Sequence, residues 1–361
     1  MPTVTVNLAS KSYDIVVENG ILEHLGKQCK SAGLAGRCAV ITDANVSLHY
    51  DAPAKESLAA AGYEMSNHLI PPGEASKSME QVQHLCRSLI EHRHDRSSWI
   101  LALGGGVVGD IAGFVAAILY RGIPYVQVPT TIVAQVDSAI GGKTGVNEPE
   151  GKNLIGAFHQ PRAVFADPET LKTLPARVYR EGFAEVIKHA AIRDAPMLDA
   201  IEALDPGDQA LSADLIARNA GIKARIVEDD EMETTGTRAL LNFGHTVGHA
   251  IEASVPYGTL LHGEAIALGI RAALHLSEEI AGLDPAASTR LLDLLAKFNL
   301  PLSLPEEIST SAILAHLRRD KKFIGGQMTF VLLDELGHGI LDRSVTETQL
   351  EAAIAELRLP R

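Results

Sequence analysis

At 361 residues the chain is long for a single core, so two domains are expected. Its 45 acidic against 32 basic residues leave a net charge of −13, which excludes nucleic acid and anionic membrane as general partners, since both reward a positive surface. Any anionic substrate must therefore meet a local basic cluster.

Cys29, Cys38 and Cys86 are scattered with no C-x-x-C, which argues against a disulfide frame or a cysteine zinc site and fits a reducing, cytoplasmic setting. The N-terminus alternates polar and apolar residues to Val17 and does not read as a signal peptide. The longest apolar run, Ile111 to Leu119, is far short of the ~20 residues a membrane span needs.

In chain order, Val4-Thr5-Val6 and Tyr13 to Val17 alternate with period two around Ala9-Ser10-Lys11, the pattern of a hairpin. Strands follow at Cys38 to Asp43, Tyr63 to Ile70, Trp99 to Leu103 and Tyr125 to Val128. Helical patterns lie between them at Ala52 to Ala61, Met79 to His92 and Ile111 to Tyr120. Short apolar strands alternating with helices imply an α/β fold with a mostly parallel, Rossmann-like sheet covered on both faces. From Pro175 onward long helical patterns dominate: Gly182 to Ile192, Ala210 to Glu228, Leu240 to Ala253, Gly263 to Ala281 and Thr289 to Lys297, with a late hairpin at Met328 to Leu333 and Gly339 to Arg343. The expected division is residues 1–174, a nucleotide-binding domain, and 175–361, a mainly α-helical domain.

Trp99 to Leu103 runs into Gly104-Gly105-Gly106-Val107-Val108-Gly109-Asp110, a G-x-G-x-x-G between strand and helix. There glycines let backbone N–H groups and a helix N-terminus cradle a pyrophosphate. No acid stands about twenty residues further on to take the ribose, as the usual fingerprint requires; Asp43, closing an earlier strand, is the better candidate. Thr130 and Thr131 follow the next strand and extend the same crevice.

Asp137 to Asn147 and Gly151 to Phe158 read as glycine-rich loops holding Lys143 and Lys152, where a phosphorylated ligand finds counter-charge in an acidic chain. Arg121 and Arg238 are further cationic candidates. In Gly182 to Ile192, apolar nearly all round, Glu185 and Lys188 lie three apart on one face. Buried charges are paired, bind a metal or act in chemistry, and a plain ion pair remains open for these two.

In Leu241-Asn242-Phe243-Gly244-His245-Thr246-Val247-Gly248-His249-Ala250-Ile251-Glu252 the two histidines stand four apart, about 6 Å along a helix, and look into one site with Glu252 on the same side. Imidazoles beside a carboxylate suit a catalytic metal with one open position. Gly244, Gly248 and Gly263 disfavour helix, so something must approach the backbone closely there. His262-Gly263-Glu264 opens a further helical run.

These motifs, in this order, resemble the 3-dehydroquinate synthase family from about Val4 to the late hairpin. The landmarks are Gly104 to Asp110, Pro129-Thr130-Thr131, Asp137 with Gly141 to Asn147, Gly151 to Phe158, Ala184 to Lys188, Leu241 to His249, and His262-Gly263-Glu264. The resemblance implies a Rossmann-like N-terminal domain, a helical C-terminal domain, a tightly held NAD regenerated in each turnover, one divalent metal (zinc or cobalt), and a homodimer. It implies Glu185, His245 and His262 as metal ligands, whereas spacing alone pairs His245 with His249; His249 then faces substrate. Asp137, Lys143, Lys188 and Arg238 are similar to the family's groups around the substrate hydroxyls and carboxylate. Lys152, Asn153, Asn242 and His249 are similar to its phosphate pocket, and Arg121 to an arginine supplied by the neighbouring subunit. Asp43, Glu74, Lys77, Gly105, Gly106, Val107, Asp110, Thr130 and Thr131 match its NAD residues. Lys223 is a further substrate candidate, as is Lys321 or Lys322.

Two departures stand out. Val178 follows Arg177 where the family commonly has Glu, an NAD ribose contact, and the stretch from Lys223 to Arg238 is one residue longer than the usual pattern. The implied reaction converts 3-deoxy-D-arabino-heptulosonate 7-phosphate to 3-dehydroquinate and phosphate through transient oxidation by NAD, phosphate elimination, re-reduction and an intramolecular aldol closure. Rival readings are another sugar phosphate cyclase, for a substrate without the carboxylate; a metal-dependent alcohol or glycerol dehydrogenase, which would release NADH; and a nucleotide-binding scaffold without chemistry.

Overall fold

The computed structural model of the protein describes residues 1–256, 258–323 and 328–360, with side chains in the helix Thr310–Phe323 described to residue 318. The backbone forms two compact units, 1–174 with 209–232, and 175–208 with 233–361.

The first unit is built on a seven-stranded sheet in the order β1-β2-β9-β6-β5-β3-β4. Its strands are β1 (Thr3–Val6), β2 (Tyr13–Val17), β3 (Cys38–Asp43), β4 (Met65–Ile70), β5 (Trp99–Gly104), β6 (Tyr125–Pro129) and β9 (Ala163–Ala166). Within this sheet, among the described residues, β1 and β2 pair antiparallel, as the N-terminal hairpin expected, and the other pairings are parallel. Period-two alternation sends Val40, Leu101 and Leu103 into one apolar cluster and Ala39, Ile41, Ile100 and Ala102 into the other, so both faces of the sheet are covered. The chain steps from β3 outward to the edge at β4, then crosses back to place β5 on the other side of β3 and β6 beyond it. That reversal opens a crevice at the carboxyl ends of β3 and β5, where doubly wound sheets bind ligands.

Three expectations need correction here. The helix after β3 starts at Ala44, earlier than its apolar pattern suggests, because the Asp43 carboxylate caps it by accepting from the N–H groups of Asn45 and Val46. The two glycine-rich stretches are not loops: β7 (Lys143–Glu148) and β8 (Gly151–Phe158) pair as an antiparallel ribbon. The segment 209–232 belongs to the first unit. Its helix Ala213–Asp229 is tied to the N-terminal hairpin by Arg225, which donates to the Thr5 carbonyl at 2.8 Å, and by Glu228, which accepts from the backbone N–H of Asn7 at 2.6 Å.

The second unit is mainly helical, with a hairpin of β10 (Phe330–Glu335) and β11 (His338–Asp342). Its central pair of helices, His245–Ala253 and His262–Leu276, crosses on glycines. A Cβ on Gly269 would stand 1.9 Å from the Gly244 carbonyl oxygen, and one on Gly248 would stand 3.0 Å from that of Ala265. The close approach that the glycines require is therefore made by protein backbone. Among the described residues no helix is long and apolar enough to cross a membrane.

Candidate metal and nucleotide sites

In the second unit the helix Phe183–Arg193 is buried along almost its whole length and carries Glu185 and Lys188 inward, 0% and 1% exposed. They form an ion pair, as the reading of buried charges allowed, but two imidazoles join it. His245 Nε2 stands 3.4 Å and His262 Nε2 3.5 Å from the same Glu185 carboxylate oxygen, Oε1. These separations exceed the ordinary N–H···O distance of about 2.9 Å. They match the edge of a tetrahedron whose ligands lie about 2.0–2.2 Å from a central zinc, which puts neighbouring donors roughly 3.3–3.6 Å apart. The chemistry and spacing of this donor set fit a divalent cation.

Each imidazole is oriented from behind. His245 Nδ1 lies 3.1 Å from the Phe243 carbonyl oxygen, which fixes the proton on Nδ1 and leaves the Nε2 lone pair facing Glu185. His262 Nδ1 lies 3.4 Å from Glu252 Oε2, which holds the imidazole from the side away from Glu185. Burial raises the Glu185 carboxyl, but Lys188 and His245 outweigh it and hold the group well below the usual carboxylate range. Burial lowers the His262 imidazole, and Glu185 with Glu252 reverses this and pushes it up to about 10. His249 is near as well: the donor atoms of His245, His249 and His262 lie within 4.8 Å of one another, yet His249 is the exposed member.

His262 is placed by tight backbone packing. A Cβ on Gly263 would meet the Glu181 carbonyl oxygen at 1.9 Å, and the Gly263 N–H donates to the Glu181 carboxylate at 2.6 Å. Glu264 receives a fork of two 2.6 Å bonds from Arg177 and closes the first turn on the Leu261 N–H. Val178 follows Arg177 and makes no polar contact that would replace a carboxylate. Arg238 is buried, at 2% exposure, and Asn242 is exposed. The side chains of Lys321 and Lys322 lie outside the described residues.

In the first unit the glycines end β5 and start the helix Gly106–Ile118, with Gly105 at its N-cap, Val107 in its first turn and Asp110 one turn further on. A Cβ on Gly105 would stand 3.1 Å from Thr131 Cγ2 and one on Gly106 2.9 Å from Ser138 Oγ, so side chains there would fill the cradle. Thr130 Oγ1 is buried with no hydrogen-bond partner among the described residues. An N-terminus lined by glycine and an unsatisfied hydroxyl fit a dinucleotide pyrophosphate. Asp43 stands at the carboxyl end of β3 as required, with one carboxylate oxygen engaged in its capping role.

Beside this crevice Lys77, 6% exposed, donates to both Asp110 and Asn153. Burial raises the Asp110 carboxyl, opposed by Lys77. The Lys152 ammonium lies 3.7 Å from Glu74. Groups expected in separate nucleotide and phosphate pockets thus form one polar cluster. Lys223 and Asp137 also meet, at 2.8 Å. Lys143 opens β7, exposed. Arg121 is exposed in a turn where Tyr120, Arg121 and Gly122 all have positive φ, 52°, 71° and 115°.

Known proteins share this architecture. The solved 2-epi-5-epi-valiolone synthase of Streptomyces hygroscopicus, with NAD+ and Zn2+ bound, is 30% identical over 97% of this chain and 98% of its own, with a TM-score of 0.88. A solved 2-deoxy-scyllo-inosose synthase, complexed with carbaglucose-6-phosphate, NAD+ and Co2+, is 26% identical with a TM-score of 0.88 over 98% of this chain and 99% of its own. The fold is that of these sugar phosphate cyclases. At 18% identity and a TM-score of 0.68, maleylacetate reductase of Agrobacterium tumefaciens shares the fold alone. Residues 67–181 match the family model described as 3-dehydroquinate synthase N-terminal, and 182–323 its C-terminal counterpart. The 3-dehydroquinate synthase of Azotobacter vinelandii is 44% identical over 98% of this chain and 96% of its own length, and that of Geobacter metallireducens 46% over 93% and 94%. The chain belongs to the 3-dehydroquinate synthase family.

Proposed function

We propose that the chain converts 3-deoxy-D-arabino-heptulosonate 7-phosphate to 3-dehydroquinate and phosphate, with NAD and one zinc or cobalt ion. The convergence of His245 and His262 on one oxygen of Glu185 carries the reading. It supports these three as the metal ligands, with the open position left for a substrate hydroxyl.

Bound NAD supplies reversible hydride transfer at that hydroxyl, and the metal supplies its acidification. The protein's own residues bind and orient. Gly105, Gly106 and Val107 receive the pyrophosphate on backbone N–H groups, with Thr130 and Thr131 flanking it; Asp43, Glu74, Lys77 and Asp110 hold the rest of the nucleotide. Lys152, Asn153, Asn242 and His249 hold the phosphate and its charge as it leaves. Asp137, Lys143, Lys188, Lys223 and Arg238 meet the hydroxyls and carboxylate and fix one pose for the ring closure. The first unit then serves NAD and the second the metal, with residues 209–232 lending Lys223 to the first. Arg121, exposed on its strained turn, is assigned to a neighbouring copy's site in a homodimer. Free cysteines, buried at Cys29 and Cys38, support a cytoplasmic location.

The test is product identity. Purified protein with NAD and the heptulosonate phosphate is expected to release phosphate and 3-dehydroquinate one to one, identified by mass. Release of phosphate only from a heptulose phosphate lacking the carboxylate would assign it to a sister cyclase instead.

A further inference from the structure

The ribbon of β7 and β8 is irregular where it matters. Val146 pairs with Ile155 and Glu148 with Gly151, so the single residue Asn147 faces three, Lys152, Asn153 and Leu154. The surplus forms a bulge that carries Lys152 and Asn153, as bulges beside binding sites do. Asn153 takes a left-handed conformation, φ 56°, which an L residue holds only when its surroundings insist.

Asn147 supplies that insistence and does more. Its Oδ1 accepts from the Asn153 backbone N–H at 2.9 Å, its Nδ2 donates to Glu74 Oε1 at 2.7 Å, and its own N–H donates to the Lys77 carbonyl at 2.8 Å. The amide orientation is dictated by its neighbours, since a backbone N–H only donates and a carboxylate only accepts. Lys77 in turn bonds Asp110 and the Asn153 side chain. One side chain therefore pins the bulge to the segment carrying Glu74 and Lys77. Asp offers no donor for Glu74, and Ser lacks the reach to both partners.

We propose that Asn147 is a positioning residue that couples the two anion-binding elements of the first unit: the bulge bearing Lys152 and Asn153, and the Glu74–Lys77 segment beside the nucleotide crevice. The proposal rests on the synthase reading for the identity of the ligands, NAD and a phosphate group.

The experiment compares Asn147→Asp with wild type by direct titration of NAD and of inorganic phosphate, and by steady-state kinetics with the heptulosonate phosphate. At pH 8 both ligands are expected to weaken by roughly ten-fold or more, the worth of a lost, partly buried hydrogen bond to a charged group. KM should rise more than kcat falls, with metal content unchanged. The ratio of variant to wild-type affinity is expected to recover as pH is lowered toward 5, when the introduced carboxyl takes up a proton and donates to Glu74 again. A merely structural lesion would not recover. Affinities for both ligands within two-fold of wild type, a defect in one ligand alone, or no recovery with pH would overturn the proposal. Should the aspartate variant prove insoluble, Asn147→Ala removes the donor without adding charge, and unchanged affinities in it would overturn the proposal equally. If wild type binds both ligands yet turns over no heptulosonate phosphate, the synthase reading fails while the two titrations still decide the role of Asn147.

Discussion

Lys223 donates to the backbone carbonyl of Asp137 at 2.8 Å and pairs with its carboxylate at the same distance. The lysine is 9% and the aspartate 22% exposed in their side chains, so solvent screens this pair only in part. Asp137 lies in the π-helical turn Ala134–Ser138, whose direction decides where its carboxylate points. Lys223→Met removes both contacts from Asp137 and should lower kcat/KM for the heptulosonate phosphate by about two orders of magnitude, with NAD affinity little changed. Equal losses for both ligands in steady-state and binding measurements would remove Lys223 from the substrate group.

Glu185 and Lys188 are a buried pair, and breaking such a pair on one side costs about 3–5 kcal/mol. Glu185→Gln is therefore expected to lose the metal and also to lower the urea midpoint, because Lys188 loses the carboxylate it pairs with. Glu185→Gln combined with Lys188→Met should regain most of the stability and none of the metal. Retention of stoichiometric metal by either variant, measured by elemental analysis, contradicts the ligand assignment.

A second histidine group, remote in chemistry from these sites, is expected to contribute to acid stability. His68 is buried, with Ser66 Oγ 2.6 Å from its Nε2 and Ser88 Oγ 3.0 Å from its Nδ1. Burial, with His92 and His94 adding to it, lowers its imidazole from 6.5 to about 4. Above 6.5 it is neutral in both folded and unfolded chains; between 6.5 and 4 only the unfolded chain takes the proton. Its contribution to stability is thus present above pH 6.5 and lost as pH falls toward 4. Denaturant midpoints should decline over that window, and His68→Gln should make the decline shallower. An unchanged slope would mean that other groups set it.

Much of this was legible in the residues, and what was hidden was hidden for physical reasons. Short continuous apolar runs exposed the inner strands because both faces of the sheet are covered. The ribbon escaped because Gly145 and Gly156 suppress any strand pattern; they are needed since a Cβ on Gly156 would lie 2.1 Å from the Thr144 carbonyl oxygen. The histidine pair at four-residue spacing does bring two imidazoles together, with ring centroids 5.0 Å apart. Spacing cannot find Glu185, which arrives from a separate helix; it pairs His245 with His249, and the donor atoms of those two do lie within 4.8 Å of one another and of His262. Nor can a helical pattern tell which core receives the helix bearing Lys223. Asn147 stood inside a recognised motif, but a bulge is a property of register between two strands and leaves no local mark.

The most direct measurement follows phosphate and NADH in one reaction, before and after chelation and add-back of zinc or cobalt. The account predicts phosphate release without net NADH, abolished by the chelator and restored by the metal. Phosphate release that ignores chelation, or NADH accumulating with turnover, would contradict it.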